Sequence, residues 1–264
     1  MGGPKADQLV LWEGDTLLAG SGVSYRTVRR TDGATTRVGI MTGSWTLPAA
    51  RRRGCFSRII DESCRLVRQR DGELLTAFVT ADNASRRRLE QAGSAMMPTS
   101  YCVLQAPDAP TGGPFEAEEM DPGHASGLVR ACLEAESSGW AHFAFETPAQ
   151  WEGQILARPR RTTVLRLGDG GFAVLEERPT ADSVLVLTGR TKHDVERALA
   201  ELRARSASLG RALVYFTSRD DRATAAEDLG FERRPGFFTL LDADTRGRPE
   251  PLDERWSIQS GDRM

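Results

Sequence analysis

Residues 217–241, slid back by 137 positions, fall on residues 80–104 with their landmarks in the same order. Thr80 lies on Thr217, Glu90 on Glu227, Gly93 on Gly230, Pro98 on Pro235 and Leu104 on Leu241. Phe78 meets Tyr215, and Tyr101 meets Phe238. A strand, a helix, a glycine, a proline and an aromatic strand thus recur, which constrains the chain to two copies of one α/β unit. At 264 residues each copy has enough chain for its own core. A proline- and glycine-rich run at 106–114 parts them.

The first copy reads as strands at 8–12, 16–25 and 35–46, the last with Gly39 and Gly43 as signs of a bulge or bend. Phe56, Ile59, Ile60, Cys64 and Val67 recur at helical spacing over 55–69. A strand at 74–80 follows, then a helix capped by Asn83 and ended by Gly93, and a strand at 98–104. In the second copy a strand is expected near 115–118, helices at 124–135 and 148–157, and strands at 163–167, 171–176 and 183–187. A helix at 193–207, a strand at 212–217, a helix at 221–229 and a strand at 231–241 complete it. The remainder, 244–264, reads as a polar, loosely ordered tail.

Chemistry concentrates in Thr46-Leu47-Pro48-Ala49-Ala50-Arg51-Arg52-Arg53-Gly54-Cys55-Phe56-Ser57. A strand stopping into a helix N-terminus leaves the first helical N–H groups, here those of Cys55, Phe56 and Ser57, without partners. Those donors and the helix dipole suit phosphate, and Gly54 lets backbone approach it closely. Arg51, Arg52 and Arg53 add forked donors. The same residues also fit a basic surface turn that merely starts a helix. Only Lys5 and Lys192 are lysines, so an arginine-rich composition lowers the weight of any single arginine.

Arg51-x-x-Gly54-x-Phe56, following a strand, resembles motif A of the GNAT acyltransferase superfamily, whose backbone amides hold the pyrophosphate of acetyl-CoA. Asp228-Leu229-Gly230-Phe231 is similar to the Leu-Gly-Phe that ends the last helix of that fold. The resemblance implies an α+β chain of two GNAT-like mixed-sheet domains in tandem, the first truncated at its N-terminus. It divides the sequence into a domain with the acyl-CoA cradle (1–106), a linker (107–114), a degenerate domain (115–243) and the tail (244–264). The ungapped offset sets 188–193 against 51–56, so Thr191 replaces the cradle glycine and only the first copy keeps a cofactor site. It implies backbone contacts to the thioester and pantetheine from Ser44, Trp45 and Thr46, and a pantetheine contact from Asn83, which also reads as a helix cap. The tyrosine the family uses as general acid is absent, its place being Leu89 or Glu90. Glu90 serves only if burial raises its pKa. The loop 138–146 is the acceptor-side candidate: His142 as base, and Glu134, Glu136 and Glu146 to attract a cationic amine. The rival reading is that Trp140, Phe143 and Phe145 simply pack the inter-domain seam.

The implied activity is transfer of an acetyl group from acetyl-CoA to an amine of a small molecule or peptide. The rivals are a catalytically silent CoA-binding or scaffold protein, and a transferase using a longer acyl-CoA or a carrier-protein thioester. A homodimer is compatible with either. A net charge of −2 argues against a nucleic-acid partner. No apolar run has membrane-spanning length, and the first residues lack the apolar core of a secretory signal. Cys55, Cys64, Cys102 and Cys132 have no metal-site spacing. These features together lead us to expect a cytoplasmic protein without a metal.

Overall fold

The structure is a computed structural model that describes residues 6–106, 117–168, 170–245 and 255–262. The chain forms two compact units. In the first, β1 (Ala6–Glu13), β2 (Thr16–Arg29) and β3 (Thr35–Thr46) make an antiparallel meander. Helix α1 (Cys55–Gln69) then crosses to β4 (Leu74–Thr80), which runs parallel to β3. Helix α2 (Ala84–Gln91) follows. The core is one side of this sheet packed against the α1 stripe of Cys55, Ile59, Ile60, Cys64 and Val67. Each fully buried isoleucine there contributes roughly 1.5–3 kcal/mol. Gly39 allows the close approach: a Cβ there would stand 2.3 Å from Val67 Cγ2. Of the two strand glycines, Gly39 is therefore a packing site and Gly43 the bulge.

The second unit takes up β5 (Ala95–Leu104) from Thr99 onward and adds β6 (Glu118–Met120), α3 (Pro122–Glu136) and β7 (His142–Ala144). Helix α4 (Pro148–Trp151) continues as a π-helical turn (Glu152–Leu156). Then come β8 (Thr162–Arg166), β9 (Phe172–Glu177), β10 (Ala181–Leu187), α5 (Lys192–Ser208), β11 (Ala212–Thr217), α6 (Asp220–Asp228) and β12 (Glu232–Asp242). Its strand order is β5-β11-β10-β9-β8-β6, with β10 and β11 parallel. One core joins α5 and α6 to the sheet, and another joins α3 and α4 to it.

The units do not follow the division drawn from sequence. Residues 236–242 of β12 pair with β4 and belong to the first unit, while 100–104 of β5 pair with β11 in the second. Each unit is thus completed by the final strand of the other copy. Inward aromatic contacts accompany the exchange, Phe78 with Phe238 and Tyr101 with Phe216. Such pairs lie far apart in sequence and carry no local signal. The expected linker, 107–114, lies outside the described residues.

Two expectations need correction. The offset of 137 holds from α1 and α5 onward, but the parallel pairs Gly39–Leu75 and Ala181–Ala212 put the preceding strands 142 apart. The first copy therefore has five extra residues at its strand-to-helix junction. The tail is not uniformly loose: Trp256 is 5% and Ile258 0% exposed, and Ser257 N–H donates to Ala141 O at 2.9 Å. Averaged polarity conceals a Trp-x-Ile pair at strand spacing. No helix among the described residues is long and apolar enough to cross a membrane.

Candidate functional site

β3 and β4 pair only over 38–40 and 74–76, although both run on, to Thr46 and Thr80. Beyond those pairs the strands part. β4 turns to β12, where Ala77 stands opposite Thr239, while β3 stays with β2. There Gly20 faces Trp45 and Gly22 faces Thr42, so Gly43 and Ser44 together oppose the single Ser21. This bulge has Gly43 at φ +59°, and Ser21 Oγ lies 2.7 Å from Ser44 Oγ.

After β3, Leu47 N–H donates to Leu18 O at 2.9 Å, and Pro48–Ala50 form a 3-10 turn. The backbone is left-handed at Arg52 (φ +64°) and at Gly54 (φ +75°). Gly54 is the N-cap of α1, and no side chain caps that helix. Side chains do cap α2, α3 and α5, through Asn83, Asp121 and Thr191. The first N–H groups of α1 are therefore left to whatever lies before them. A Cβ on Gly54 would meet no atom within 4 Å, so glycine is required here by φ, not by space within the protein.

These elements enclose a cleft of about 600 Å³. Ser44, Trp45 and Thr46 line it from β3, and Ala50, Arg51, Arg52 and Gly54 from the loop. Cys55, Phe56 and Ser57 line it from the first turn of α1, and Ala84, Ser85 and Arg88 from α2. Three arginines and no carboxylate stand on its walls. Most of the residues read from sequence as cofactor contacts meet here. Arg53 does not line the cleft: it pairs with Glu13 at 2.5 Å. Nor does Asn83, whose Oδ1 accepts from Ser85 N–H at 2.8 Å and so sets the start of α2. Cys55 is buried, and its thiol donates to Ala50 O at 3.5 Å. Sequence reading missed Ala50 and the α2 face. The spacing 84, 85, 88 after a capping asparagine marks that face and could have found it.

The proton carriers are less gathered. Glu90 is solvent-exposed, so the burial its role requires is lacking, and it does not line the cleft. Leu89, its neighbour, is 1% exposed core. Tyr25 donates to Asp7 Oδ2 at 2.7 Å; burial, and then this carboxylate, push the phenol pKa up. Tyr25 does not line the cleft. His142 belongs to the second unit and is buried, with Nδ1 2.8 Å from Trp140 O. A carbonyl only accepts, so Nδ1 carries the proton. Phe143 is buried, and Phe145 stacks edge-on against Trp151 at 5.0 Å, within the core that joins α3 and α4 to the sheet. Glu136 is not available to attract an amine. Its Oε1 accepts from Gly189 N–H at 2.5 Å and its Oε2 from Arg222 at 3.1 Å. Burial pushes its pKa up against both partners.

No known family model matches the chain, and no curated protein is similar to it in sequence. Solved structures are similar in fold. A protein of unknown function from Enterococcus faecalis V583, described as a probable N-acyltransferase, is 10% identical with a TM-score of 0.62, over 90% of this chain and 63% of its own. A GCN5-related N-acetyltransferase from Kribbella flavida is 14% identical with a TM-score of 0.60, over 90% and 61%. Saccharomyces cerevisiae N-myristoyltransferase, with bound myristoyl-CoA, is 12% identical with a TM-score of 0.65, over 87% and 64%. The chain thus spans less than two thirds of the length of each. The fold of this chain, a mixed sheet whose strands part before α1 and again before α5, is similar to that of these N-acyltransferase structures.

Proposed function

We propose that this chain is an acyltransferase working in the cytoplasm, which moves an acetyl group from acetyl-CoA to an amine of a small molecule or peptide. One observation carries the reading. The cleft of the first unit joins an uncapped helix N-terminus, a left-handed glycine and three arginines, with no carboxylate among them. Such a site suits a donor rich in phosphate. The amides of Cys55, Phe56 and Ser57 and the guanidinium groups of Arg51 and Arg52 hold the donor's phosphates. Ser44, Trp45 and Thr46, on the parted end of β3, lie along its pantetheine arm. Arg53 and Asn83 contribute from behind, by fixing the loop and the start of α2.

Transfer needs a neutral amine, donors for the developing oxyanion, and a proton for the departing thiolate. His142, read from sequence as the base, is buried in the second unit with its Nδ1–H directed to Trp140 O. Glu90, facing solvent, lacks the environment of a general acid.

Isothermal titration with acetyl-CoA tests the donor site, and an absence of binding at high micromolar concentration ends the acyltransferase reading. Thiol release with a panel of amines tests turnover, with silence across the panel pointing to a CoA-binding scaffold. Competition between acetyl-CoA and longer acyl-CoAs sets the chain length.

A further inference from the structure

The second unit repeats the strand splay of the first, but there the splay is filled. β10 and β11 pair over 181–184 and 212–215 and then part, as β3 and β4 do. At the spacing of 142, Gly43 falls on Leu185, where β10 breaks register against β9 between Val184 and Val186. The bulge is therefore common to both copies. Trp45 and Thr46, which line the cleft, fall on Leu187 and Thr188.

Residues 256–262 bond to both parted strands. Thr217, at the end of β11, bridges to Gln259, and Ser218 N–H donates to Ile258 O at 3.1 Å. Ser218 Oγ donates to Trp256 O at 2.7 Å and accepts from Ile258 N–H at 2.8 Å. At the end of β10, Leu187 N–H donates to Gln259 Oε1 at 2.7 Å. The following loop is closed as well, since Glu136 accepts from Gly189 N–H. Arg222 binds Glu136 and donates to the carbonyls of Leu187 and Gly189 at 3.0 Å each. Arg222 stands where the cleft of the first unit has Ser85, at the spacing of 137.

We propose that residues 256–262, together with Glu136, are a built-in occupant of the second copy's ligand site, leaving one donor site per chain. A strand-like segment supplies hydrogen bonds to the parted strands, and a carboxylate supplies the anion at the loop. The seating of the segment is independent of the proposed donor; only the identity of the excluded molecule rests on that reading.

Amide hydrogen exchange on the full chain, alone and with free CoA, tests this. The amides of Leu187, Ser218 and Ile258 are expected to exchange as slowly as the middle of β10. Gln259→Ala, in the otherwise intact chain, speeds exchange at Leu187 by about tenfold or more and leaves α1 and β4 unchanged. Ile258→Asp loosens the whole segment, and the milder Gln259→Ala covers the case in which that variant does not fold. CoA slows exchange in residues 52–57 and nowhere in 187–191. Fast exchange of Ile258 in the unaltered chain, or an unchanged Leu187 in Gln259→Ala, overturns the proposal. So does protection of 187–191 by CoA. If CoA protects neither junction, the donor reading fails, while the exchange at Leu187 and Ile258 still decides the seating of the segment.

Discussion

The two strand-to-helix junctions start from one plan and end in opposite states. Before α5, Thr191 accepts from Asp194 N–H at 3.1 Å and Asp194 accepts from Thr191 N–H at 2.9 Å, a closed capping box. These backbone and side-chain bonds to Thr191 hold the Asp194 carboxyl below its ordinary pKa. Before α1 there is no side-chain cap, and five extra residues bring in a 3-10 turn and arginines. The helix start that is capped by a side chain at the second junction has no side-chain cap at the first, where a cleft lies before it. An absent side-chain cap is not enough for a cleft, since α6 lacks one too; at α1 it coincides with a longer junction and a left-handed glycine. A cap, a carboxylate and a terminal segment turn the same geometry into support.

The largest effect expected is from Gly54→Asp. Its φ of +75° strains any side chain, aspartate less than most, and the added Cβ meets nothing, so the variant is first checked for an unchanged fold by circular dichroism. Its carboxylate then faces the donor's phosphates, and acetyl-CoA affinity measured by titration drops by about 100-fold or more. An unchanged affinity removes the junction from the binding site. Next come the arginines. Arg51→Ala and Arg52→Ala each weaken binding by about tenfold and flatten its salt dependence. Arg53→Ala, whose side chain is engaged with Glu13, changes it by less than about twofold. Equal losses for all three would mean that bulk charge, rather than the cleft, attracts the donor.

Much of this contrast was legible in the sequence, and the exceptions have physical causes. The α1 stripe and the Arg51-to-Ser57 junction depend on local periodicity and turn chemistry, and the structure forms both where the sequence indicates. The buried Glu136–Arg222 pair joins residues far apart in sequence, so nothing local sets Glu136 apart from Glu134 and Glu146, with which it reads as attracting an amine. The exchange of β5 and β12 was hidden for the same reason: each strand is apolar enough for either sheet, and only tertiary pairing chooses. The tail was misjudged because Trp256 and Ile258 are outnumbered by polar neighbours.

Two smaller effects sharpen the contrast between the helices. Thr191→Ala opens the capping box of α5 and costs about 1 kcal/mol in denaturant unfolding, with acetyl-CoA binding unchanged. A loss of binding in that variant would place a donor at the second junction. At the other end of α1, Arg70 closes the helix and donates to Asp7 on β1 at 2.9 Å, so α1 is pinned at its C-terminus and open at its N-terminus. Arg70, and then Tyr25, hold the Asp7 carboxyl below its ordinary pKa. A carboxyl whose folded-state pKa is depressed adds stability above its unfolded value, and that stability is lost as pH falls through the folded one. Asp7→Asn should therefore melt at a lower temperature than the unaltered chain near neutral pH. The gap should close in acid, below the usual aspartate pKa. Donor binding should stay the same throughout, because this anchor serves the helix and not the cleft. A gap that persists unchanged in acid would show that α1 owes nothing to the Asp7 charge and is held by packing alone.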